Sequence, residues 1–158
     1  MRGGSVSKER RRGLIVDDTD ETLDLLRDAT RSWPCDIDFF DNAFDASISL
    51  IAQLKDRNHV DPRLRTHPYD FYLLDLAMKD ATGFMVARIL RELEREIGIA
   101  RPAIVGVVTA FMETAEMSSE FQKYDIRFRM TKPIEIEELT AVVDGWLSAL
   151  GKSEAPEG

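Results

Sequence analysis

Apolar residues along this chain fall into two rhythms. Leu14-Ile15-Val16, Ile37 to Phe40, Phe71-Tyr72-Leu73-Leu74, Ile104 to Val108 and Phe128-Arg129-Met130-Thr131 are short, mostly apolar runs. Runs of this length read as strands, the most continuous of them as buried strands. Between them apolar positions recur every three or four residues. That spacing predicts helices over about 20–33, 43–55, 83–97, 113–124 and 136–150. A strand followed by a helix, five times over, predicts an α/β fold: a doubly wound (βα)5 domain with a five-stranded parallel sheet.

The helix ends carry their own signals. Asp20 and Glu21 suit the positive end of the first helix dipole, and Pro34 stops that helix. Its stripe is Leu23, Leu26, Ala29 and Trp33. The third helix sets Val86, Ala87, Leu90, Leu93 and Ile97 against Arg88, Arg91, Glu92, Glu94, Arg95 and Glu96, and Gly98 and Pro102 punctuate its end. Residues 1–12, rich in Gly, Ser and charge, read as a flexible lead-in. Residues 13–150 form one domain and 151–158 a disordered tail. The stretch from Asp56 to Pro68 reads as an unusually long loop.

Composition narrows the function classes. A chain of 158 residues with 44% hydrophobic and 32% charged residues is ordinary globular usage for one domain. A formal net charge of -8 argues against direct nucleic-acid binding, and the basic run Lys8-Glu9-Arg10-Arg11-Arg12 reads as a solvated arm. The single cysteine, Cys35, permits no internal disulfide. No stretch approaches the roughly 20 apolar residues of a membrane span, and the N-terminus lacks a signal-peptide core, so no membrane insertion and a cytoplasmic location are expected. His59 and His67 show no metal-ligand spacing.

The candidate chemistry lies where the apolar runs stop. The first run ends in Asp17-Asp18, the third in Asp75, the fourth in Thr109-Ala110 and the last in Lys132-Pro133. In a parallel sheet these ends share one edge, where open α/β sheets place their ligands. Three clustered carboxylates repel one another and call for a cation; hard oxygen donors favour Mg²⁺. Lys132 adds a compact positive charge and Thr109 a hydroxyl. Such a set can stabilise a transferring phosphoryl group, with Asp75 the best-placed nucleophile.

Asp17-Asp18, Asp75, Thr109-Ala110 and Lys132-Pro133, each at a strand end of a βα repeat, resemble the receiver domain of two-component response regulators; a stand-alone, single-domain type is expected, and a receiver cut from a longer protein would read identically. The similarity covers about 14–150, and Gly83 fits the loop into the third helix. The resemblance implies a flavodoxin-like receiver fold. In it Asp17, Asp18 and Asp75 hold Mg²⁺ together with the Ala77 backbone carbonyl, and Asp75 accepts the phosphoryl group. Thr109 bonds that group, Lys132 pairs with it, and the Lys132-Pro133 peptide is cis. It further implies a histidine kinase or histidine phosphotransfer protein as donor, a downstream protein partner reached by protein–protein contact, and scope for a phosphorylation-dependent dimer.

Four positions depart from the family pattern. Lys79 stands where proline is common, Arg129 where the switch residue is usually aromatic, and Tyr124-Asp125 where Gly-Ala is common; the 56–68 stretch is long. Arg129 favours a second reading, a phosphorylation-independent binding module. A third, an aspartyl-phosphate hydrolase, needs a second Asp two residues after the nucleophile, where this chain has Ala77. No enzyme turnover is expected beyond self-phosphorylation and slow autodephosphorylation.

Overall fold

The computed structural model describes residues 11–56, 69–78, 82–99, 101–110 and 114–154. Expectations attached to 57–68 (His59 and His67 included), Lys79 and Glu113, the expected start of the fourth helix, lie outside these residues. The elements run β1 Arg11–Val16, α1 Asp20–Thr30, β2 Cys35–Phe40, α2 Ala43–Asp56, β3 Phe71–Asp75, α3 Gly83–Ile97, β4 Ile104–Thr109, α4 Ala115–Lys123, β5 Ile126–Thr131 and α5 Ile136–Glu154. The five strands form one sheet in the order β2-β1-β3-β4-β5, and every neighbouring pair is parallel.

Side chains alternate across a strand, so each apolar run feeds two cores. Leu14 and Val16 of β1, Tyr72 and Leu74 of β3, and Val105 and Val107 of β4 pack with α2, α3 and α4. Ile15, Phe71, Leu73, Val108 and Met130 point the other way and pack with Leu26 of α1 and Leu139 and Val143 of α5. β3, third in the order, is buried at all five residues, as expected for a strand covered on both faces. Beneath α5, Trp146 lies against Phe71 and Phe128, ring centroids 5.7 and 6.0 Å away.

Several boundaries differ from the expectation. β1 starts at Arg11, inside the expected 1–12 lead-in, because Arg12 N–H donates to the Asp70 carboxylate (2.9 Å) and Asp70 N–H returns to the Arg12 carbonyl (2.7 Å). α1 stops at Thr30 rather than Trp33. Proline disfavours a helical residue before it, and Trp33 instead turns inward, donating its indole N–H to Thr140 on α5. β2 begins at Cys35, two residues early, and buries it. α5 continues to Glu154, through four residues of the expected tail, since adding turns to an existing helix costs little. Gly98 caps α3 as expected, in the left-handed region at φ 83°. Among the described residues no helix is long and apolar enough to cross a membrane.

Candidate functional site

Parallel register brings the strand ends together. Val16 pairs with Leu74, Asp75 with Val108, and Thr109 with Thr131, so the residues that end or follow β1, β3, β4 and β5 meet at the C-terminal edge of the sheet. Asp17, Asp18, Asp75 and Lys132 come together there, and Thr109 ends β4 at the same edge. Asp17 and Asp75 are each 2% exposed and Thr109 4%. Lys132 reaches across with Nζ 2.9 Å from Asp17 Oδ2 and 3.4 Å from Asp75 Oδ2. Its backbone N–H donates to the Thr109 carbonyl at 2.8 Å, locking β5 onto β4 just where the lysine departs. The Lys132-Pro133 peptide is cis, as the resemblance implied.

Backbone amides orient both buried acids. Thr19 N–H donates to Asp17 Oδ1 (2.8 Å) and Ala77 N–H to Asp75 Oδ1 (3.0 Å). Each is an Asx-type turn, in which a carboxylate accepts from the amide two residues on. The Thr19 and Ala77 amides are additions to the expected site, in which Ala77 enters only through its carbonyl. An Asp at a strand end followed by a loop was the available signal.

The balance of charge is uneven. Asp17, Asp18 and Asp75 can each place a ligand oxygen so that all three lie within 4.8 Å of one another, and Lys132 reaches Asp17 and Asp75. Burial pushes the Asp75 carboxyl above its ordinary range. The Ala77 hydrogen bond opposes this, the Asp17 charge adds to it, and Lys132 offsets only part. Burial also works against the Lys132 ammonium, but its hydrogen bond to Asp17 and the two carboxylate charges prevail and raise it. All-oxygen, anionic ligands around a small gap suit a hard divalent ion such as Mg²⁺.

Arg129 contacts α4. It lies exposed on β5 with its guanidinium 4.8 Å from the centre of the Phe121 ring of α4. Phe128 belongs to the opposite core, under Trp146, so it is no substitute for an aromatic residue at position 129.

No family model matches the chain. Among curated proteins it is 26% identical over 127 residues to hybrid signal transduction histidine kinase L of Dictyostelium discoideum, covering 80% of this chain but only 7% of that protein. A CheY-like response regulator receiver domain protein from Methanospirillum hungatei JF-1 superposes with a TM-score of 0.66 at 18% identity, covering 90% of this chain and 98% of that one. The receiver domain of the histidine kinase CKI1 from Arabidopsis thaliana, complexed with Mg²⁺ and BeF₃⁻, gives 0.70 at 18% identity over 87% and 90%. A chain from the co-crystal of the Saccharomyces cerevisiae histidine phosphotransfer protein Ypd1 with the receiver domain of Ssk1 gives 0.67 at 17% identity over 87% and 89%. This chain has the flavodoxin-like fold of response regulator receiver domains.

Proposed function

We propose that this chain is a phospho-accepting signalling switch of a two-component system or phosphorelay. Asp75 takes the phosphoryl group from the phosphohistidine of a histidine kinase or a histidine phosphotransfer protein. The donor's N–P bond breaks as a bond forms between phosphorus and a carboxylate oxygen of Asp75. Attack of water on phosphorus later releases inorganic phosphate and restores the carboxylate. The observation that carries this reading is the placement of Asp75, nearly buried, 3.4 Å from Lys132 and clustered with Asp17 and Asp18.

Asp17, Asp18, Asp75 and the Ala77 carbonyl are the residues that would hold Mg²⁺. When bound, that ion neutralises charge on the phosphoryl oxygens. Lys132 supplies a second positive charge from the β5 side, and Thr109 a hydroxyl from β4. The chain's residues thus orient and neutralise. The relatives support the choice of donor and ion, since one is a hybrid histidine kinase, one holds Mg²⁺ with BeF₃⁻ and one was crystallised with a phosphotransfer protein. Such a switch works in the cytoplasm and signals by presenting a changed surface to a downstream protein.

Intact-protein mass after incubation with acetyl phosphate and Mg²⁺ tests the reading. Wild type gains one phosphoryl group only when Mg²⁺ is present during the incubation, and Asp75→Asn gains none. Absence of the adduct in wild type supports the second reading, a phosphorylation-independent binding module. Arg129, resting on Phe121 where an aromatic switch residue is usual, is the observation that favours it.

A further inference from the structure

Gly83 opens α3 and is buried against the end of β3. A Cβ built on it would stand 2.5 Å from the Asp75 carbonyl oxygen, 3.1 Å from the Asp75 carbonyl carbon and 3.1 Å from Leu74 Cβ. Real Cβ atoms do not approach backbone that closely. Its φ lies outside the left-handed region, so the glycine is there for space and not for conformational freedom. The nearest obstacle is also the backbone of the very residue that carries the acceptor carboxylate.

Both sides of this contact are held. On one side Asp75 pairs with Val108 in the sheet, Leu76 N–H donates to the Val108 carbonyl, and Ala77 N–H fixes the Asp75 carboxylate. On the other, α3 is seated by Val86, Ala87 and Leu90, all fully buried, and Met85 N–H bonds the Thr82 carbonyl. An added methyl has no flexible side chain to displace and must shift the strand end or the helix start. Asp17 and Lys132 are fixed from β1 and β5 and would not follow.

We infer that Gly83 is a positioning residue for the phosphoryl-accepting site. Its missing side chain sets how closely α3 approaches Asp75, and so fixes the Asp75 carboxylate and the Ala77 carbonyl relative to Asp17, Asp18 and Lys132. This rests on the function proposed above. It concerns a residue that touches neither ion nor phosphoryl group and acts through the Asp75 backbone.

The test compares wild type, Gly83→Ala and Gly145→Ala, the last an α5 glycine with nothing within 4 Å of its built Cβ. Three quantities are read: Mg²⁺ affinity by titration calorimetry, backbone amide shifts of residues 75–77 in metal-free protein, and the rate of phosphoryl uptake from acetyl phosphate. Gly83→Ala is expected to move the amide shifts of Asp75, Leu76 and Ala77 and to weaken Mg²⁺ binding and slow uptake by about 10- to 100-fold, the usual effect of misplacing a ligand or reacting group by part of an ångström. Gly145→Ala should match wild type in all three. A folded Gly83→Ala protein with wild-type shifts, Mg²⁺ affinity and uptake overturns the inference. If the variant does not fold, it is remade with Gly145→Ala and with Ser47→Ala, which removes a buried hydroxyl that has no hydrogen-bond partner, as stabilising changes; unfolding even there makes Gly83 a residue of the core alone and also overturns it. A wild type that binds no Mg²⁺ and takes up no phosphoryl group defeats the proposed function itself, an outcome visible without the variant.

Discussion

Both ends of the parallel sheet gather buried or half-buried charge, yet they treat it in opposite ways. Toward the N-terminal ends of the strands, Arg12 contacts Asp38 at 2.7 Å and lies over the Tyr69 ring, Arg11 meets Asp70 at 3.2 Å, and the Tyr69 hydroxyl donates to Asp38. Arg91 pairs with buried Glu94 at 2.8 Å and also donates to the carbonyls of Ala103, Tyr124 and Asp125. Burial, reinforced by Asp38, keeps the proton on Tyr69 by raising its pKa. Asp38, Asp70 and Glu94 have each met a cation. At the C-terminal ends Asp17 and Asp75 share Lys132, and Asp75 is left in a state that its own burial and the Asp17 charge disfavour. Matched charge holds a fold together; unmatched charge is stored for a ligand or a reaction.

The contrast can be broken most sharply at Arg91. Arg91→Ala leaves Glu94 buried without its arginine and three carbonyls without their donor. It should cost about 3–5 kcal/mol in urea denaturation. A loss below about 1 kcal/mol would mean that the charges at this end are not structural in the sense argued.

At the other end the sign reverses. Asp75→Asn removes the charge that burial and Asp17 oppose, so the metal-free variant should melt higher than wild type, by a few degrees in a domain of this size. The pH dependence follows from the raised Asp75 pKa. Protonated Asp75 contributes stability that is fully present below the ordinary carboxylate pKa and is lost as pH rises through its higher folded value. The advantage of Asp75→Asn should therefore be small near pH 3.5 and grow toward neutrality. Saturating Mg²⁺ should shrink it by stabilising wild type preferentially. An advantage independent of pH would sink the argument.

A smaller effect sharpens the comparison from outside both regions. Ser47, buried on α2, is the residue among those described whose buried side-chain oxygen lacks a hydrogen-bond partner. Its defect is neutral, so removing it should help the fold and leave the chemistry alone. Ser47→Ala should gain about 0.5–1 kcal/mol by thermal or urea denaturation, from relief of an unsatisfied hydroxyl and better helix propensity. Phosphoryl uptake should be unchanged; a loss would show that α2 packing reaches the site.

Much of this was legible in the amino-acid sequence because it depends on local repetition. The short apolar runs at 71–74 and 104–108, the three- and four-residue spacing of the helices, and Gly98 after Ile97 each report the backbone they form. Given parallel strands, Asp17, Asp18, Asp75, Thr109 and Lys132 had to share an edge, since each ends or follows a strand. Boundaries were less legible. Arg11 and Arg12 look like a solvated arm until Asp70, 58 residues away from Arg12, bonds the latter's backbone. Trp33 fits the stripe of α1 until Pro34 and Thr140 draw it out of the helix.

What only the tertiary structure decided are the quantities that depend on distance between elements far apart in the chain. Sequence determined which residues face which core and which charges reach the site edge, because side-chain direction follows from backbone period. It could not say that Lys132 sits closer to Asp17 than to Asp75, that Arg129 rests on Phe121, or that Gly83 presses against the Asp75 carbonyl. Those facts arise where packed helices and strands come to rest against one another. The resting positions are set by the sum of many close contacts, none of which any single segment encodes.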